Sequence, residues 1–358
     1  MIHILSLCVI ALCVLYKWTR RAGKVIDPSW ISCIQQPVPA IDPSFKWDET
    51  IPKKIRPFVK KKSFNAEMGI KNIASTPEDW LLLENTYLQA ITLRKKFTRL
   101  YPDKTSLAYN NEATAMAIRE FYETVTTFLL NRYPQYFVVE KDTILNKISG
   151  ETMPLNGKNT TPHELVLILA SHIEEDFLIL LKDDPDDHEQ EYLLRASITG
   201  FPAGFDPSKG HNKAISQIHD LVPQYSSRLK NPMSNFFNKL KPKDLWVRHN
   251  WSVQTSANYF NLDSLHGRDG DEIKVMTMDD LDFENGCFLR VERQILTRLP
   301  KLRAIFMTVR TYLTPMSEIK KEGSGDELCR GISSLPKEIA FYKRALSWGD
   351  AVKEYLQS

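Results

Sequence analysis

Between Phe288 and Pro315 the chain reads FLRVERQILTRLPKLRAIFMTVRTYLTP, which sets basic side chains inside a pattern that otherwise describes buried β-structure. Ile305, Met307, Val309 and Leu313 alternate with Phe306, Thr308, Arg310 and Tyr312. A strand therefore sends the two sets to opposite faces, and Arg310 shares its face with aromatic rings. An unpaired charge in such a place costs several kcal/mol or more. Arg310 must meet a fixed anion, either a carboxylate of the protein in a structural ion pair or the acid group of a bound ligand.

Guanidinium groups pair carboxylates bidentately, so Arg293, Arg298 and Arg310 are the candidates for holding an acidic ligand, with Glu292 a natural counter-ion for one of them. Trp251 and Tyr312 are candidate cavity walls whose π faces favour a cationic amine, although core packing explains both rings equally well. His219, following Ala214-Ile215-Ser216-Gln217-Ile218 and preceding Val222-Pro223, is on its own residues a capping or core histidine.

Other short runs extend the pattern. Met68-Gly69-Ile70, Glu175-Asp176-Phe177, Phe201-Pro202, Ile218-His219 with Val222-Pro223, and Asn250-Trp251-Ser252 precede Arg290-Val291-Glu292-Arg293-Gln294, Arg298-Leu299-Pro300 and Arg310-Thr311-Tyr312. In this order the set resembles the haem-dependent oxidative N-demethylase alpha-subunit-like family, whose fungal members are often called HRQ proteins. The likeness spans about Pro57 to Pro315. Phe205 stands where that family usually has a Trp after Phe-Pro, and Leu221 where a Pro is common after the His. The resemblance implies a PAS-like fold carrying haem b and makes His219 the proximal iron ligand, with His172 and His249 as competitors. It also implies oxygen-dependent N-demethylation of a small amine with electrons from a separate reductase, and it turns the arginines toward haem propionates.

With 358 residues, a single large α+β domain is compatible with the length. The net charge of +3 is spread through the body, which excludes a nucleic-acid footprint; the one basic concentration is Lys53 to Lys62. Five scattered cysteines fit a reducing compartment. From Ile2 to Leu15 the chain is nearly continuous Ile, Leu, Val, Cys and Ala, and Lys17, Arg20, Arg21 and Lys24 follow it. That pattern predicts a single transmembrane helix over residues 1–18, with the body on the cytosolic side, as in the endoplasmic reticulum membrane. A Pro-rich basic tether over 19–62 then leads to a domain over 63–358.

Within the domain, Thr76-Pro77-Glu78-Asp79 reads as a capped helix start, and an apolar stripe at Ile118, Phe121, Val125, Phe128 and Leu129 predicts a helix over Glu112–Asn131. Thr161-Pro162-His163-Glu164 is a capping box. Strands are expected at Phe177–Leu181, Tyr192–Ile198, Trp246–Val253, Cys287–Gln294 and Ala304–Leu313, with an acidic loop over Lys182–Glu191 and a helical piece near Asn231–Leu240. Strands with inserted helices and no βαβ rhythm make an α+β domain with an antiparallel sheet.

Alternatives remain at this level. Cys287 precedes the signature strand, but no glycine-framed loop accompanies it as a thiolate haem ligand. No close His-X-Asp/Glu spacing comes with a third partner for non-haem iron, and no glycine-rich loop follows a strand. Asp269-Gly270-Asp271 with an N-terminal anchor outlines a luminal glycosyltransferase, against which the charge placement argues. A non-catalytic haem or ligand sensor is a third reading.

Overall fold

The protein is described by a computed structural model over residues 38–59, 67–268 and 270–358. The apolar N-terminal stretch lies outside these residues. Among the described residues no helix is long and apolar enough to cross a membrane.

The scaffold is a seven-stranded sheet, antiparallel at every pairing, assembled from β1 (Lys71–Asn72), β2 (Ser106–Ala108), β6 (Asp176–Leu181), β7 (Leu193–Ile198), β8 (Trp246–Gln254), β9 (Phe288–Arg298) and β10 (Ile305–Pro315), in the order β1-β8-β9-β10-β6-β7-β2. β3 (Phe137–Glu140), β4 (Thr143–Asn146) and β5 (Glu151–Pro154) form a separate three-stranded sheet. The helices are α1 (Tyr87–Leu100), α2 (Pro102–Thr105), α3 (Glu112–Arg132), α4 (Pro162–Ala170), α5 (Ile215–Ile218), α6 (Lys230–Lys239), α7 (Met316–Lys321), α8 (Gly325–Ser333), α9 (Lys337–Tyr342) and α10 (Ala345–Gln357).

Register assigns each side chain of the long strands to a face. Directly paired residues share one, so Trp246, Leu296 and Met307 form a row with Leu178 and Ser197, and Arg248, Gln294 and Val309 form the next with Asp176. The opposite face carries Val247, Ile295 and Thr308, then His249, Arg293 and Arg310. This second face is sealed. Asn111 caps α3 by accepting from Thr114, and the helix lays Phe121 against Phe177 and Phe306, with ring centroids 4.8 and 4.9 Å apart. Deleting so central a ring costs about 3–5 kcal/mol. Nearer the C-terminus, α7, α8 and α10 close over Val253, Leu289, Val291 and Tyr312.

The first face is covered only in part. At one end α5, α6 and the turn between them bury Leu180, Leu194, Leu296 and Ile305 beneath Tyr225, Met233 and Phe237. Beyond that arm the period-two burial breaks: Arg248, Asn250, Ser252, Glu292, Val309 and Leu313 are half-buried, while their neighbours on the sealed face are mostly buried. Polar residues thus sit where a covering layer stops.

The α+β class and the five expected strands are present, β9 extending to Arg298 and β10 to Pro315. The Thr161 capping box forms in full. At Thr76 the reading needs correction: the Thr side chain makes no cap bond, Pro77–Asp79 is a single 3-10 turn, and the helix proper starts at Tyr87. Over 38–59 the stretch read as a tether packs on the domain, Val38 entering the α3 core and Phe58 meeting Trp251 at 5.8 Å between rings.

Candidate functional site

Arg310 stands on the sealed face with no exposed surface. Its Nε donates to Glu175 at 2.8 Å, Nη1 donates to Glu84 at 2.6 Å and lies 3.1 Å from Glu174, and Nη2 donates to the carbonyl of Leu82. Burial alone disfavours its charge, but Glu174, Glu175 and Glu84 outweigh that and hold the guanidinium firmly ionised. Tyr312, one turn of the pleat away, donates to Glu84 at 3.2 Å, and burial pushes its phenol upward. Arg293 gives its Nη1 to the carbonyl of Trp80 at 3.2 Å and its Nη2 to that of Asp79. Arg298 reaches Tyr192 Oη at 2.8 Å and the carbonyls of Arg303 and Phe237 beneath α6. Trp251 packs on Phe58, and its carbonyl accepts from Lys343 at 2.6 Å. Four of the residues predicted as ligand contacts, Arg293, Arg310, Tyr312 and Trp251, therefore converge on the sealed face; Arg293 and Arg310 give their hydrogen bonds to protein oxygens, whereas Arg298, under α6, keeps a buried Nε without a partner.

The half-open face is arranged differently. The Arg248 side chain makes no hydrogen bond with any described residue, its Nε is buried without a partner, and among the described residues Glu292 is the opposite charge acting on it. Desolvation lowers its affinity for the proton. Arg290, 1% exposed, donates to Gln254 Oε1 at 3.1 Å and to the carbonyl of Phe201 at 2.7 Å, but its Nε makes no hydrogen bond and only approaches Glu292 at 3.6 Å. Trp246 Nε1, Gln294 Oε1 and Ser197 Oγ are also buried and unsatisfied on this face. Lys343 reaches in at the β8 edge, and burial lowers its ammonium to about 8 while Glu292 pulls upward and Arg248 downward. Three cations thus surround one carboxylate. Unsatisfied buried donors and a surplus of positive charge are what a site for an acidic ligand presents.

His219 ends α5 beside this face. Its Nδ1 lies 2.9 Å from the carbonyl of Ile215, which can only accept, so Nδ1 carries the proton and Nε2 keeps its lone pair. Burial lowers its pKa, with the charge of Arg248 adding to the effect, so the ring is a neutral imidazole. A histidine whose second nitrogen is fixed by a carbonyl is the form that binds metals. Of the competitors, His172 is 2% exposed and 3.3 Å from Asn146, and His249 lies on the sealed face beside Arg293; burial holds each at about 4. The second histidine at the half-open face is His266, stacked on Tyr342 at 4.3 Å and held at about 4 by burial, with Lys343, Glu292 and Arg290 acting on it.

Comparison with known families now bears on this geometry. The model of the family described as haem-dependent oxidative N-demethylase, alpha subunit-like, matches residues 69–353. The chain belongs to that family. The match takes in both faces of the sheet and His219, Arg248, Arg290, Glu292 and His266. Haem dependence is thus the family's property, and the donor set fits it: a neutral imidazole whose Nδ1 is engaged lies near Arg248, and Arg290 on the same face keeps a buried Nε without a partner.

Other sequence candidates are placed elsewhere. Cys287 is fully buried, and desolvation pushes its thiol up to about 12. Asp271 is spent on Arg344 at 2.7 Å, and among the described residues no group of three His, Cys, Asp or Glu side chains is arranged to hold a metal; Asp269 lies outside them. Arg248 and His266 escaped sequence reasoning. The signal for Arg248 was present in Trp246-Val247-Arg248-His249-Asn250, where a strand period puts Arg248 with Asn250 on the face opposite the buried Val247.

Proposed function

We propose that this chain is a haem b oxidoreductase that removes a methyl group from a small amine, with the haem held against the half-open face of a PAS-like domain. The observation that carries the reading is the charge imbalance there: Arg248, Arg290 and Lys343 against Glu292 leave a surplus of two positive charges, matching the two propionates of one haem. His219 Nε2 is the residue for the iron and Arg248 the first residue for a propionate, since it has no hydrogen-bond partner of its own among the described residues. The bound group supplies dioxygen activation and oxidation of a methyl carbon on nitrogen, releasing formaldehyde. The protein's residues do the remainder. Ile215 fixes the tautomer of His219, Tyr225 stacks on its ring at 4.9 Å, and the apolar arm around Met233 and Phe237 keeps water from that end of the face. Electrons come from a separate reductase, as no dinucleotide loop accompanies the strands.

The test is the absorption spectrum of the full chain, oxidised and then reduced under carbon monoxide, with formaldehyde release from a methylated amine measured on the same sample. A Soret band that His219→Ala abolishes and His266→Ala preserves supports the assignment. The reverse moves the ligand to His266. No haem in the wild-type protein rejects the reading.

The placement of the domain is part of the same proposal: a single-pass endoplasmic reticulum anchor over 1–18 with the body in the cytosol, from the basic residues after the apolar run. Only Asn159 is a useful glycosylation reporter, being exposed, because Asn250 is paired inside the sheet with Glu292. Sugar on Asn159 in cells rejects this topology.

A further inference from the structure

Among the described residues eleven large apolar side chains are left exposed, and three of them gather at the end of α1. Leu100 closes that helix with 51% of its surface in water, Tyr101 follows at 43%, and Phe205, in the loop after β7, stands at 48%. Tertiary bonds bring the three together. Tyr101 stacks on Phe260 with ring centroids 4.6 Å apart, the amide of Gly204 donates to the carbonyl of Asn261 at 2.8 Å, and Lys104 donates to Asp206 at 3.0 Å. Phe205 is thus tied on both sides to the stretches that carry the stack. Scattered apolar side chains are ordinary on a protein surface, but a contiguous group of this kind marks a place where something docks.

We propose that this patch seats the domain on an anionic phospholipid surface, with Leu100, Tyr101 and Phe205 entering the interfacial layer and Lys96, Arg99 and Lys209 meeting the headgroups.

The rim decides the occupant. Lys96 precedes Leu100 by one helical turn, Arg99 adjoins it, and Lys209 lies in the turn Pro207–Gly210 that follows Phe205; all three are exposed and form no ion pair among the described residues. Asp206 is neutralised by Lys104, which leaves Asp103 and Asp263 as the exposed acids beside the patch. A second exposed apolar group supplies the contrast. Ile273, Val275 and Leu346 are held together where Met276 donates to the carbonyl of Ser347 at 2.9 Å, but there the exposed Glu272, Asp279 and Asp280 outnumber Lys274. An anionic leaflet attracts the first rim and repels the second. Tyr and Phe also favour the depth of the headgroups, and Lys and Arg reach that level while their stems lie along apolar surface. The bilayer as the source of the lipid rests on the anchored topology proposed above: a body tethered to a membrane needs only a weak contact, since docking is then an intramolecular step.

The experiment is flotation of the full chain with vesicles of phosphatidylcholine alone or with about 20% phosphatidylserine, followed by hydroxyl-radical footprinting of the floated protein by mass spectrometry. The readout is the oxidation of Tyr101 and Phe205 relative to Leu346 in the second apolar group. On phosphatidylserine vesicles that ratio should be about threefold or more lower in wild type than in the double variant Lys96→Glu with Lys209→Glu, whose exposed substitutions leave the fold alone. Equal ratios overturn the proposal, whether both chains are unprotected or both are protected, the latter because a second copy or another protein then covers the patch. Flotation separates the two readings. A chain that floats with both lipids upholds the anchor and leaves the patch to the footprint; one that floats only with phosphatidylserine removes the anchor and supports the patch, provided the double variant stays at the bottom. Flotation with neither lipid removes both.

Discussion

On the sealed face of the sheet Arg310 and Arg293 direct their guanidinium groups at carboxylates and carbonyls of the protein, whereas on the half-open face the Arg248 side chain has no hydrogen bond among the described residues and Arg290 keeps an unsatisfied Nε. The residues are chemically the same and their strands are neighbours, with Arg248 on β8, Arg290 and Arg293 on β9 and Arg310 on β10. What separates them is what covers each face. Where the loops before α1 and β6 supply anions, arginine completes the fold; where the covering layer stops, arginine waits for an anion from outside. An arginine in a strand therefore reports on function only once its partners are known.

The comparison breaks first at Arg310. Arg310→Ala leaves Glu84, Glu174 and Glu175 buried without a cation, a loss of about 3–5 kcal/mol that should prevent folding or strip the domain of cooperative melting. Arg310→Lys should rescue little, because an ammonium cannot span three carboxylates and the Leu82 carbonyl at once. Normal urea melting for Arg310→Ala would mean that the sealed face is not held by this cluster. Arg248→Leu should do the opposite. Removing a desolvated cation with no hydrogen-bond partner among the described residues should leave the haem-free protein within about 1 kcal/mol of wild type while haem affinity falls about tenfold. Equal destabilisation by the two substitutions would erase the distinction between the faces.

A gentler test uses pH. Glu174 is raised from 4.5 to about 7, so its folded form holds a proton that the unfolded chain has released; this contribution is fully present below pH 4.5 and is lost as the pH rises through 7. His172 and His249 run the other way. Both fall from 6.5 to about 4, so their contribution is present above 6.5 and is lost as the pH falls through 4. Between pH 4.5 and 6.5 Glu174 offsets part of the histidine effect. Glu174→Gln should therefore lose stability more steeply on acidification than wild type, by about 1.4 kcal/mol per pH unit for the one proton removed from the balance. Parallel curves in urea melts across that window would show that Glu174 titrates normally.

Much of this was legible in the chain, and the rest has identifiable reasons for being hidden. Alternation over Ile305–Leu313 assigned Arg310 to the face of Phe306 and Tyr312, where it is found. The anion it meets was beyond reach, because Glu84 lies 226 residues away and Glu175, just before β6, lies 135 residues away. Arg248 and Glu292 are neighbours only through the β8–β9 register, in which Asn250 faces Glu292 and Arg248 faces Gln294, a pairing no local pattern specifies. His219 was singled out through its short motif, but the carbonyl that sets its tautomer comes from the helical turn itself. The three-stranded sheet of β3, β4 and β5 and the C-terminal helices went unread, since short strands and short helices leave little periodicity to detect.

Arg303 sets the zero of the arginine scale and should show the smallest effect. It belongs to neither face, standing half-exposed in the β9–β10 turn with its Nη1 3.2 Å from an Asp186 side chain that is 89% exposed. A pair so solvated contributes about 0–1 kcal/mol. The backbone there is left-handed, with φ of 56°, so Arg303→Ala keeps the same local strain, and the carbonyl that accepts from Arg298 is retained. Arg303→Ala should therefore stay within about 0.5 kcal/mol of wild type. Arg303→Gly should match or exceed it, because glycine takes a positive φ without the Cβ penalty while giving back some of that gain as entropy of the unfolded chain. A loss above about 1 kcal/mol in Arg303→Ala would mean that the turn, and not only the two faces, depends on an arginine side chain, and burial would then no longer rank the arginines of this sheet.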